Sequence, residues 1–178
     1  MKNKAVFLDR DGVLNKAIVR DGKPYPPDSL AEFEFLPHVE EVLPPLKAAG
    51  YLLIVVTNQP DVGRGTQHKS VVEEMHDLLK RELPLDAIYV CYHGYDGECD
   101  CRKPKPGMLV KASRDHKIDL IQSYMVGDRS KDIDAGKASG CRTIFIEYSY
   151  CEPLNNFPDF STDNLQNAAK WILQQAPI

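Results

Sequence analysis

Long apolar runs are missing from this chain. No stretch approaches the roughly 20 apolar residues of a membrane-spanning helix. Near the N-terminus the apolar run Ala5-Val6-Phe7-Leu8 is four residues long and ends in the charges of Asp9 and Arg10. That is too short for a secretory leader, so the cytoplasm is the expected location. Positive charge is not in excess either: 22 Lys and Arg against 26 Asp and Glu give a net charge of −4. Such a balance suits neither nucleic acid nor an anionic membrane, and neither is expected as a partner. Cysteine is sparse and odd in number, five in 178 residues. A disulfide framework is therefore not expected, and clustered cysteines are first read as metal ligands or catalysts. Repeats, low-complexity tracts and long linkers are also absent.

What is there suits a single soluble domain spanning residues 1–178. Hydrophobic residues make up 43% and charged residues 27%. A body of this length buries roughly 70% of the surface its unfolded chain exposes, enough for a core without staples. No apolar seam is evident, so a monomer is expected.

Five short apolar runs read as strands: Ala5–Leu8, Tyr51–Val56, Ala87–Val90, Tyr124–Val126 and Thr143–Ile146. Near-continuous apolar strands imply burial on both faces. Helical patterns fall between them. Val39–Ala49 ends at Gly50 and contains Pro44-Pro45, which should kink or restart it. Ser70-Val71-Val72-Glu73 fits a capping box for a helix that stops at Pro84. Others open at Pro106-Gly107, cover about 130–139, and start near Asp163. Residues 16–30 and 148–161 read as loops. The alternation predicts an α/β fold: a Rossmann-like, doubly wound parallel sheet with helices on both faces and ligands at the strand C-termini.

Polar residues just past those strands should then meet at one edge. Asp9-Arg10-Asp11-Gly12 puts two carboxylates on one side of an extended chain. Asp9 can attack phosphorus, and Asp11 can protonate the leaving oxygen. The same motif also fits a polar turn at a strand end. Thr57 and Asn58 can hydrogen-bond a phosphoryl oxygen, or simply terminate a strand. Arg102-Lys103-Pro104-Lys105 is a stiff local cation cluster, either for a phosphoryl group or as a solvated loop. Asp128 follows a strand through Gly127 and is a natural Mg²⁺ ligand. Asp132 lies one turn on and could orient the site, while Asp132 and Asp134 also fit acids at a helix N-terminus.

Cys91-Tyr92-His93 and Cys99-Asp100-Cys101 place three thiols and an imidazole within eleven positions. That is a closed donor set for structural Zn²⁺. The C-x-C spacing argues against redox switching. A zinc loop over 91–101 would pin Arg102 and Lys103. Cys141 and Cys151 lie outside it.

Taken in order, the four elements resemble the haloacid dehalogenase-like (HAD) phosphatases over nearly the whole chain. The resemblance implies attack by Asp9 to form an aspartyl-phosphate, with Asp11 as general acid and then base. Thr57 and Lys103 would stabilise the phosphoryl group. Mg²⁺ would sit between Asp9, the backbone carbonyl of Asp11 and Asp128. The zinc loop, Thr57-Asn58-Gln59, Gly63-Arg64-Gly65 and Lys105-Pro106-Gly107-Met108 narrow it further. They are similar to the family of D-glycero-D-manno-heptose 1,7-bisphosphate 7-phosphatases, which serves nucleotide-activated heptose synthesis. Asn58, Arg102 and Arg129 would then meet substrate. Related histidinol-phosphate phosphatases share the zinc loop; there Asp96 and Glu98 could face an ammonium. Another sugar phosphate, or a silent zinc module binding a phosphorylated ligand, are the remaining readings.

Two departures stand out. Asn58-Gln59-Pro60-Asp61-Val62 replaces the family's usual Asn-Gln-Ser-Gly-Ile, and Pro60 has no N–H to offer. Lys16 to Arg20 lacks the usual His/Gly/Tyr-type substrate loop. Motif spacings of 48 residues (Asp9 to Thr57) and 46 residues (Thr57 to Lys103) leave no room for a cap domain.

Overall fold

The computed structural model describes residues 2–175; Met1 and residues 176–178, the ends of the expected 1–178 domain, lie outside the described residues. Six parallel strands form the sheet: β1 (Lys4–Leu8), β4 (Tyr51–Asn58), β5 (Ala87–Cys91), β6 (Tyr124–Gly127), β7 (Arg142–Ile146) and β8 (Phe160–Thr162). Their spatial order is β5-β4-β1-β6-β7-β8. The chain winds one way from β1 through β4 to β5, then returns to β1's other side and winds outward through β6, β7 and β8. The order reverses at β1, so a crevice opens beyond its C-terminal end.

Alternation along the strands sorts the core into two layers. Val6 and Leu8 of β1 join Leu53, Val55 and Val126 beneath α1 (Val39–Ala48), α3 (Lys69–Glu82) and α6 (Leu165–Gln175). Ala5 and Phe7 face the other way, with Ile54, Val56 and Met125, onto α4 (Gly107–His116) and α5 (Ser130–Ser139). Both faces of β1 are fully buried, which explains its unbroken apolar sequence.

The structure corrects four local expectations. Residues 16–30 are not all loop: β2 (Ile18–Arg20) and β3 (Lys23–Tyr25) pair antiparallel as a separate hairpin. Its turn uses Asp21 and Gly22, both at positive φ (51° and 70°), as tight hairpin turns require. The strands are three residues each and largely exposed, so no alternating pattern marked them. Residues 148–161 end in β8, the short sixth strand, which is mostly unburied and therefore silent in hydropathy. Helix α1 runs unbroken through Pro44 and Pro45. Both prolines lie on its exposed face, where water can satisfy the carbonyls they leave unpaired. Helix α3 starts at Lys69 with His68 as its N-cap, not at Ser70. Gln67 Oε1 accepts the His68 N–H at 2.8 Å, and Glu73 pairs with Lys69 at 3.2 Å instead of closing a capping box. A short helix, α2 (Pro60–Gly63), follows β4.

Helix α5 sits close to the sheet at Gly136. A Cβ there would lie 2.6 Å from Thr143 Cγ2 and 2.9 Å from Met125 Cβ. In an open helix, Gly→Ala stabilises by about 1 kcal/mol. Here overpacking reverses the sign, and Gly136→Ala is expected to destabilise by about 1–3 kcal/mol in urea unfolding.

Candidate active site

Strand β1 ends at Leu8, and Asp9 follows it into the crevice, its N–H donating to Val126 O at 2.9 Å. Gly12 turns the chain at φ +83°; a Cβ there would fall 2.0 Å from Asp128 Oδ2. This glycine is required twice, for the left-handed backbone and for the approach of Asp128.

Lys103 organises the centre. It is 2% exposed, and its ammonium lies 2.9 Å from Asp9 Oδ1, 2.6 Å from Asp132 Oδ1 and 2.8 Å from Val56 O. Asn58 fixes its backbone with two reciprocal bonds: Asn58 Nδ2 donates to Lys103 O (2.9 Å), and Lys103 N–H donates to Asn58 Oδ1 (3.0 Å). Asp132 caps α5 by accepting the Arg129 N–H at 3.0 Å.

Two of three clustered carboxylates, Asp9 and Asp132, meet this ammonium. Oxygens of Asp9, Asp128 and Asp132 lie within 4.8 Å of one another. Burial works against ionised Asp9, but Lys103 and Lys131 outweigh it and hold its pKa below the usual value. Burial and the nearby Asp9 push Asp132 up to about 6 against the pull of Lys103. Burial, then Asp9 and Asp132, drive Asp128 well above the ordinary carboxylate range. Lys103 is held up at about 12: burial opposes its charge, but Asp132 and Asp9 prevail. Among the described residues neither buried oxygen of Asp128 has a well-formed hydrogen bond, and the Tyr150 hydroxyl stands near them. Two such carboxylate oxygens amid excess negative charge fit a divalent cation.

Asp11 points onto a second network. Arg10 Nη2 donates to its two oxygens at 3.0 and 3.1 Å, Asn15 Nδ2 donates at 2.9 Å, and Gln59 Nε2 donates at 2.9 Å. Gln59 also donates to Thr57 Oγ1 at 3.0 Å, tying the ends of β1 and β4 together. Arg10 is wholly buried and approaches His76 Nε2 at 3.2 Å. Burial and the charges of Arg10 and Lys80 lower His76 to about 3, so its ring stays neutral beside the guanidinium. Sequence reasoning missed Arg10, Gln59 and His76. Arg10 and Gln59 sit inside motifs already singled out, whereas His76 looked like any helix residue.

Sequence motifs that lie far apart converge on one cavity of about 170 Å³. Asp9, Asp11, Asn58, Asp128 and Arg129 line it. Lys103 lies beneath it, and Thr57 is buried at the end of β4. Arg129 pairs with Glu152, which the sequence did not suggest. Arg102 is not on the cavity wall. Its guanidinium donates to the carbonyls of Gly94, Gly97 (3.1 Å) and His93 (3.4 Å), bracing the loop 91–101.

That loop brings Cys91, His93, Cys99 and Cys101 together, with donor atoms within 4.8 Å of one another. Cys91 Sγ lies 3.2 Å from Cys101 Sγ, 3.8 Å from Cys99 Sγ and 3.5 Å from His93 Nδ1. A tetrahedron with metal–sulfur bonds of about 2.3 Å has edges of about 3.7 Å. The donor set thus has nearly the size and chemistry that a four-coordinate zinc needs.

Residues 100–167 match the family model described as HAD-hydrolase-like. The chain is 44% identical over 154 residues to the D-glycero-beta-D-manno-heptose-1,7-bisphosphate 7-phosphatase of Pasteurella multocida, covering 80% of each protein. It is 39% identical over 158 residues to the D-glycero-alpha-D-manno-heptose-1,7-bisphosphate 7-phosphatase of Burkholderia mallei, covering 82% of this chain and 80% of that one. The crystal structure of D,D-heptose 1,7-bisphosphate phosphatase from B. bronchiseptica, complexed with magnesium and phosphate, superposes with a TM-score of 0.81 at 29% identity. That match covers 97% of this chain and 99% of the other. Sequence, sheet order and the converging carboxylates agree: the chain belongs to the HAD-like phosphatases, in the family of the heptose 1,7-bisphosphate 7-phosphatases.

Proposed function

We propose that this protein is a Mg²⁺-dependent phosphomonoesterase that removes the 7-phosphate of D-glycero-D-manno-heptose 1,7-bisphosphate. It would act as one cytoplasmic domain and serve the synthesis of nucleotide-activated heptose. The observation that carries the reading is the buried cluster of Asp9, Asp128 and Asp132, with Lys103 on Asp9 and Asp132.

Asp9 is the nucleophile in this reading. Lys103 keeps it ionised and draws off charge from the phosphoryl oxygens. Attack forms an aspartyl-phosphate on Asp9 as the sugar oxygen leaves. Asp11 supplies that oxygen's proton, then takes a proton from the water that hydrolyses the intermediate. Gln59 orients both Asp11 and Thr57, so acid and phosphoryl-binding hydroxyl keep a fixed relation. Asn58 acts chiefly through Lys103, whose backbone it clamps. Asp9, the carbonyl of Asp11 and Asp128 would hold Mg²⁺, which when bound neutralises phosphoryl charge. Cys91, His93, Cys99 and Cys101 would hold a structural Zn²⁺, with no open position for chemistry.

Histidinol phosphate would need carboxylates facing its ammonium. Asp96 and Glu98 line a separate hollow beside Arg102 and Lys105, while Lys23 and Arg64 line the catalytic cavity. Cations there favour a substrate with a second anionic group.

Phosphate release with Mg²⁺ tests this directly on the α and β anomers of heptose 1,7-bisphosphate and on histidinol phosphate. A kcat/KM advantage of at least about tenfold for a heptose anomer is the expected outcome. Preference for histidinol phosphate would replace the substrate and keep the chemistry. Asp9→Asn should lower kcat by about 10³-fold or more with the fold intact by circular dichroism. Near-wild-type turnover in that variant would remove Asp9 as nucleophile. Cys99→Ser should lose zinc by elemental analysis and show a lower Tm.

A further inference from the structure

Beyond β1, β4 and α5, the cavity wall comes from three separate pieces: Lys23 and Tyr25 of the hairpin, Asp61 and Arg64 at α2, and Tyr95 of the loop 91–101. Lys23 and Arg64 are the cations of this part of the wall among the described residues. Asp61 is its one carboxylate, and Asp61 pairs with one of those cations: Arg64 Nη1 lies 3.2 Å from Asp61 Oδ1. The same guanidinium stands 5.8 Å from the centroid of the Tyr95 ring.

The backbone that carries Asp61 and Arg64 is well anchored. The Asp61 carbonyl accepts the N–H groups of Thr66 (2.9 Å) and Gln67 (3.1 Å) and the Thr66 hydroxyl (3.3 Å). Pro60 sets the first residue of the turn. Gly63 packs backbone to backbone on the loop 91–101: a Cβ there would lie 2.3 Å from Gly94 N and 2.4 Å from Tyr92 O. Asp61 therefore stands beside Arg64 on an anchored stretch of backbone, with the Arg64 side chain about half exposed. An anion approaching Arg64 meets a guanidinium whose Nη1 already serves the Asp61 carboxylate.

We propose that Asp61 is a specificity-determining residue, which holds Arg64 against Tyr95 and weakens the grip of the cavity on the second anionic group of a bisphosphorylated sugar. This rests on the phosphatase reading above. The consequence is a balance. The second phosphate stays on the product after hydrolysis, so a tempered hold on it favours release. The same carboxylate can accept a sugar hydroxyl, which makes the cavity more tolerant of substrates lacking the second phosphate.

The test compares wild type with Asp61→Asn, which keeps the size and the acceptor oxygen but removes the charge. The readout is the ratio of kcat/KM for heptose 1,7-bisphosphate to that for heptose 7-phosphate. A second readout is the ratio of competitive inhibition constants of fructose 1,6-bisphosphate and fructose 6-phosphate against p-nitrophenyl phosphate hydrolysis. It reads the charge effect even where the heptose substrate proves wrong. In Asp61→Asn both ratios should move about three- to tenfold toward the bisphosphate, mainly through KM and the inhibition constant. The gain should shrink with added salt. In an Arg64→Gln background the same substitution should change the ratios less than twofold. Unchanged ratios in Asp61→Asn, or a full shift without Arg64, would overturn the proposal. Failure to hydrolyse the heptose bisphosphate, with the inhibition ratio still shifting, would overturn the substrate and leave the role of Asp61 standing.

Discussion

The buried ammonium of Lys103 is the interaction on which this site depends. It stands between Asp9, Asp132 and the carbonyl of Val56, so it joins the ends of β1 and β4 to the start of α5. Removing one member of such a buried set leaves an uncompensated charge, at a cost of about 3–5 kcal/mol. The surroundings are arranged to keep it in place. Asn58 clamps its backbone, and Asp132 is positioned by its role as cap of α5. The loop 91–101 fixes the chain just upstream, with Arg102 tied back to that loop's carbonyls. The cysteine and histidine cluster therefore bears on the chemistry through position, since it ends one residue before Arg102 and two before Lys103.

Three carboxylates cluster here, and the buried ammonium of Lys103 contacts only Asp9 and Asp132. Asp9 remains ionised because Lys103 and Lys131 favour it, while Asp128 and Asp132 are pushed upward. The imbalance is local and greatest at Asp128, whose charged form burial, Asp9 and Asp132 all disfavour. Stability alone would select against such a group, and clusters of this kind are characteristic of functional sites. Asp11 is kept apart from this imbalance by its own buried partner, Arg10, and by Gln59 and Asn15.

Much of the fold and the centre was legible in the sequence, because both rest on short-range patterns. Of the six strands in the sheet, β1, β4, β6 and β7 are apolar runs largely buried on both faces and β5 is a half-buried one, and burial is what apolar runs report. Asp9, Asp11, Thr57, Asn58 and Asp128 follow those runs directly, so predicting the strands predicted their convergence. The hairpin 18–25 and strand β8 were not legible, because exposed three-residue strands carry no alternation. Pro44 and Pro45 misled for a related reason: whether a proline breaks a helix depends on which face its lost hydrogen bond is on, and composition does not tell. The resemblance implies that Arg102 meets substrate; what only the structure adds is that its side chain braces the loop that precedes it.

By itself, the sequence determined which groups could do the chemistry, the parallel α/β architecture, and the pairing of Cys91 and His93 with Cys99 and Cys101. Each follows from neighbours a few residues apart, or from the period of the apolar pattern. Tertiary structure alone decided which cation faces the cavity and which carboxylate lacks a well-formed hydrogen bond. It also decided that Gln59 ties Thr57 to Asp11, and that Asp61 and Arg64 line the same cavity as the hairpin's Lys23. Direction and partnership of side chains depend on elements distant in sequence, and those meet only after the sheet has reversed its order at β1.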